Sequence, residues 1–119
     1  PTKPVLTAKL MTPAMLSPHE SLLVNQQRGV LAAVMGNPAF GPGVVDIYDI
    51  SQDCRRPVLK SVSPVGTLGH ESGFSPDGMT FYSASPAPPT LTPIDLTNLS
   101  VPLPLTRTTR ARSPTSMPR

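Results

Sequence analysis

The chain has no tryptophan, one cysteine, three phenylalanines and two tyrosines, and its longest apolar run is the short stretch Val30 to Met35. Each scarcity excludes something. That run is far below the roughly 20 residues a membrane-spanning helix needs. With Cys54 alone, no disulfide framework forms within the chain, and cysteine usage does not fix the redox compartment. Phe40, Tyr48, Phe74, Phe81 and Tyr82 do not interleave with a basic stripe, so a dedicated nucleic-acid surface of stacked rings is not expected.

Charge is also sparse, with charged residues at 14%. The formal net charge of +3 is local rather than general. Arg107, Arg110, Arg112 and Arg119 hold four of the ten basic side chains, leaving six basic against seven acidic over residues 1–106, a net charge of −1. The high isoelectric point therefore describes the last segment alone. That segment, 106–119, is rich in Ser, Thr, Arg and Pro. It has too little apolar surface to order itself, and is expected to be a disordered basic tail.

What the chain has in quantity is proline, 17 residues, with 8 glycines. Together they make about a fifth of the sequence, against an ordinary combined usage of roughly 12%. Only Ser21 to Asn37 and Gly43 to Arg56 are long and free of proline, and both are rich in Val and Ile, which suit strands. Ser17 with Glu20 three residues on has the pattern of a helix N-cap, yet no helical apolar period follows. The expectation is an all-β chain.

An internal repeat organises it. His19-Glu20-Ser21 recurs as His70-Glu71-Ser72, 51 residues later. Each copy leads through an apolar stretch to a turn with glycine, Gln26-Gln27-Arg28-Gly29 and Ser75-Pro76-Asp77-Gly78. Pro76 presets the turn and Gly78 can take the positive φ that restores pairing, which predicts a hairpin. The strands Val30 to Met35 and Met79 to Ala84 follow; Met79 to Ala84 lacks strict alternation and is expected to be covered on both faces. Asp49 and Asp95 then stand at one repeat position just before a turn, where aspartate stabilises the turn. Pro57-Val58-Leu59 and Pro102-Leu103 close the two units, and Pro4-Val5-Leu6 matches them as the end of a preceding one.

Unit lengths of 45 to 53 residues with four short strands each predict a partial β-propeller of about two four-stranded blades plus the end strand of a preceding blade. The expected boundaries are 1–15 for that end strand and linker, 16–62 for the first blade and 63–105 for the second. Opening on Pro1 rather than Met, the chain is expected to be a piece of a longer array whose other blades are its natural partners. Two blades alone expose apolar surface and should associate.

Val44-Val45-Asp46-Ile47-Tyr48-Asp49-Ile50-Ser51 followed by Pro57-Val58-Leu59, with Ile94-Asp95-Leu96-Thr97 followed by Pro102, resembles the LVIVD-repeat family of bacterial β-propellers. The resemblance implies a secreted or cell-envelope protein and carries no catalytic residues. The chain departs from the pattern at Pro93, which inside a strand loses a ladder bond.

Among chemistry-bearing residues, His19, Glu20, His70 and Glu71 are candidate metal ligands, since His and Glu both bind metals and the pairs repeat. Adjacent strand residues point to opposite faces, however, which allows one ligand per pair. The competing expectation is that His70 bonds within its own unit to Asp77 or Asp95. Asp46 is a candidate acid or base with no counterpart, Thr92 standing at its repeat position. Cys54, beside Asp53 and Arg55-Arg56, reads as a solvent-facing or distantly paired turn thiol rather than a nucleophile. Ser17, Ser21 and Ser72 lack a G-x-S-x-G context. No catalytic set and no cofactor is implied. The expected function is a non-catalytic scaffold binding a protein or small-molecule ligand. The alternatives are part of a metal-dependent hydrolase or lactonase, or a truncated gene product.

Overall fold

The computed structural model describes residues 2–37, 43–65, 68–86 and 89–105. It is all-β but for one short turn of helix. After α1 (Pro13–Leu16) come β1 (Leu22–Asn25), β2 (Val30–Val34), β3 (Val45–Asp49), β4 (Val58–Ser63), β5 (Gly73–Phe74), β6 (Thr80–Pro86), β7 (Pro89–Asp95) and β8 (Leu103–Pro104). They form two antiparallel meanders, β1-β2-β3-β4 and β5-β6-β7-β8. The expected segment 106–119 lies outside the described residues.

Local chemistry sets these elements. Gly29 and Gly78 hold φ of 64° and 70° in the two hairpin turns, the region glycine enters without Cβ strain. Pro13 opens α1 at the position where a missing N–H costs nothing. Thr12 makes no side-chain cap; instead the Asp46 carboxylate on β3 accepts the Ala14 N–H at 2.7 Å. Ser17 is the C-cap of α1, not an N-cap, its N–H donating to Ala14 O. Pro4-Val5-Leu6 pairs with no described strand and is exposed, because an outer strand forms only beside the sheet whose edge it completes.

Pro93 sits inside β7 opposite Tyr82. Leu105 N–H donates to Pro93 O, and Pro93 has no N–H to return, so the ladder beside it is short: β8 has two residues.

Strand pairing fixes how the repeats correspond. Val30 pairs with Asp49 and with Asn25; Thr80 pairs with Asp95, and its carbonyl accepts the Ser75 N–H. Val30 is thus equivalent to Thr80, 50 residues apart, and the frame extended back along β1 and β5 matches Glu20 with His70 and His19 with Gly69. The His-Glu-Ser copies, 51 apart, are one residue out of phase with that strand frame.

Each sheet has one face carrying its turn aspartate and one opposite face. On the Asp49 face of the first sheet, Val30, Ala32, Val34, Val45 and Ile47 are buried in one core with Phe81, Ile94 and Leu96. Those last three lie on the face of the second sheet opposite Asp95, since Thr80 and Tyr82 alternate with Phe81. The sheets stack facing the same way, aspartate face onto opposite face. The remaining face of the first sheet is covered by α1, where Ala14 packs with Ala33 and Met35.

Among the described residues the aspartate face of the second sheet meets no further sheet, and β6 alternates plainly: Phe81, Ser83 and Ser85 are buried while Tyr82 is exposed. The expectation of a strand covered on both faces is corrected for this chain. Serines at the close-packed positions hid the alternation from a hydrophobicity reading.

Candidate functional site

Two hydrogen bonds draw the two sheets together at the end where β1 and β5 begin, beside a third close approach inside the first repeat. Gly69 N–H donates to Met35 O at 2.8 Å, and Gly36 N–H donates to Ser17 O at 2.8 Å. A Cβ on Gly69 would lie 2.5 Å from Val34 Cβ, and one on Gly36 would lie 2.2 Å from His19 Cβ, so both positions admit only glycine without displacement. Ser72 Oγ donates to Ser21 Oγ at 3.1 Å across the same joint.

Neither His-Glu pair lies on a strand. Among the described residues, His19 and Glu71 are the two non-glycine residues with positive φ, 50° and 52°. Such backbone costs about 1–3 kcal/mol per residue and persists only where surroundings hold it. The strand-alternation rule that allowed one ligand per pair therefore does not apply. His70 Nε2 stands 3.1 Å from Glu20 Oε2, an ion pair when the imidazole is protonated. The His19 ring lies 5.1 Å from the His70 ring, tilted by 60°. One ligand atom each from Glu20, His70 and Glu71 fall within 4.8 Å of one another. All three remain accessible to solvent.

The expected bond from His70 to Asp77 or Asp95 is corrected: His70 bonds across the joint to Glu20, while both aspartates serve their own turns. Asp77 accepts the Ser75 hydroxyl and Met79 N–H. Asp95 accepts Thr97 N–H at 2.8 Å, and Asp49 accepts both the N–H and the hydroxyl of Ser51. These bonds favour the charged form and hold all three carboxyls below the usual range: the Ser51 hydroxyl is the chief cause for Asp49, the Ser75 hydroxyl for Asp77 and the Thr97 side chain for Asp95. Pro57 and Pro102 stand just before β4 and β8. They lie outside the joint.

Asp46 is fully buried, with Oδ2 on Ala14 N–H and Oδ1 without a partner among the described residues. It faces α1, away from the second sheet, and joins no other titratable group into an acid-base pair among the described residues. Cys54 is exposed, and its neighbours Asp53 and Arg55 pair with each other, which lowers the Asp53 carboxyl. Ser17, Ser21 and Ser72 meet no general base among the described residues.

Sequence reading missed Arg28. Its guanidinium crosses from the first hairpin turn to donate to Gly78 O at 2.8 Å and Leu96 O at 3.0 Å. Nothing local signals a partner 50 or 68 residues away, and Asp77 stands near its place in the second turn.

Among the described residues no helix is long and apolar enough to cross a membrane. The chain matches no protein-family model and no curated protein sequence.

Proposed function

We propose that the chain is a non-catalytic repeat scaffold, two neighbouring blades of an LVIVD-like β-propeller that binds a ligand or protein partner in an extracellular or cell-envelope setting. The supporting observation is the same-facing stack. A sheet whose aspartate face packs on the opposite face of the next leaves one face of each kind at the ends, the head-to-tail geometry that closes into a ring or continues as an array. The exposed aspartate face of the second sheet fits this reading. Tyr82, Leu91, Pro93 and Leu105 line an apolar groove of about 350 Å³ there, and Leu91 is 63% exposed.

The test is sedimentation over a range of protein concentrations. The chain is expected to self-associate at tens of micromolar, as apolar faces of this kind do. Substitution of both Tyr82 and Leu91 by Glu is expected to return it to a monomer of unchanged circular dichroism. A wild-type chain that stays monomeric would count against a face made to be covered.

A further inference from the structure

The geometry points to a divalent transition-metal site, best suited to zinc, formed by Glu20, His70 and Glu71 at the joint between the two sheets. Glu20 precedes β1 and the other two precede β5, so an ion bound there would tie the first strand of one repeat to the first strand of the next. This goes beyond the scaffold reading and does not depend on ring closure.

Zinc takes imidazole nitrogen and carboxylate oxygen at about 2.0–2.2 Å, which sets neighbouring ligand atoms on the order of 3.4 Å apart in a tetrahedral site. The 3.1 Å between His70 Nε2 and Glu20 Oε2 matches that spacing, and the 4.8 Å span of all three ligand atoms closes with small rotamer changes in exposed side chains. Two carboxylates converge here, and among the described residues no lysine or arginine pairs with either. A doubly charged cation would neutralise both. The imidazole favours zinc, nickel or copper over magnesium or calcium, which prefer oxygen alone. His19, with its ring 5.1 Å from that of His70, stands where a modest swing offers a fourth ligand. Glu20 and His70, 50 residues apart as the strand frame is, meet across the joint.

The experiment is calorimetric titration of zinc into the tag-free, metal-stripped chain in a Cys54→Ser background, which removes the exposed thiol as a competing ligand, with thermal melts in parallel. Binding of one zinc per chain is expected, together with a higher melting temperature, because a ligand bound only by the folded state stabilises it. Glu71→Gln keeps the side chain's shape and is expected to weaken binding at least tenfold while its metal-free melting temperature stays at that of the parent. Glu20→Gln, made in parallel, is expected to do the same. Absence of saturable zinc binding, or binding undiminished in both variants, would overturn the site.

Discussion

The two sheets share one topology and differ in what covers them. The first is covered by the second sheet on its aspartate face and in part by α1 on the other, and its core is built from small aliphatic residues such as Ala32, Ala33 and Val34. The second is closed on one side only and relies on one large side chain, Phe81, packed edge-on against Phe74 with ring centres 5.0 Å apart. Phe81 is fully buried, whereas its strand-frame equivalent, Leu31, lies half-buried on the face that α1 partly covers. Equivalent positions in a repeat therefore carry unequal weight: what matters is whether a neighbouring sheet lies over them.

The comparison is broken most severely at that pair. Phe81→Ala is expected to cost about 3–5 kcal/mol, the range for a fully buried aromatic, and to unfold most of the chain. Leu31→Ala, deleting a side chain already partly in water, is expected to cost less than half as much. Denaturant melts of both variants check this, and equal losses would mean the two faces are covered alike.

Next in size is the buried carboxylate that has no counterpart. Asp46→Ala leaves the Ala14 N–H buried without an acceptor, at about 1–3 kcal/mol, and is expected to release residues 2–16 to protease. Thr92→Ala at the matching position of the second sheet is expected to stay within about 0.5 kcal/mol. Limited proteolysis followed by mass spectrometry reads the difference. Cleavage near α1 that is no faster in Asp46→Ala would show that α1 is held by Ala14 packing alone.

The smallest effect concerns what the sheets have in common. Asp49 and Asp95 cap equivalent turns with carboxyls held below the usual range by hydrogen bonds to the charged form. A depressed carboxyl contributes stability that is present above its unfolded value and is lost as pH falls through the folded one. Stability is therefore expected to decline below about pH 4. The double variant Asp49→Asn, Asp95→Asn should flatten that decline without moving the neutral-pH melting temperature far. An unchanged acid limb would assign it to other carboxylates.

The one-residue slip explains why the candidate site was only half legible. From sequence, the repeated His-Glu-Ser looked like one motif in two equivalent places, which predicted symmetric pairs and a partner for His70 inside its own unit. The pairing of Val30 with Asp49 and of Thr80 with Asp95 instead fixes a 50-residue frame. The 51-residue copy then occupies different positions, and left-handed backbone at His19 and at Glu71 re-aims the side chains. No local window signals left-handed backbone at His19 or Glu71; His19 is packed against Gly36 from the far end of β2.

By itself the sequence determined the strand content, the two hairpin turns, the turn aspartates and the repeat that makes two like sheets, since each follows from short-range chemistry: proline's fixed φ, glycine's freedom, and aspartate's reach to an N–H two residues on. Only the tertiary structure decided which face of each sheet is buried, that Arg28 bridges to Gly78 and Leu96, that Asp46 holds α1, and that Glu20, His70 and Glu71 converge. Those facts depend on contacts between residues some 30 to 70 positions apart. Contacts of that range follow from the stacking of one sheet on another, which no local window of sequence encodes.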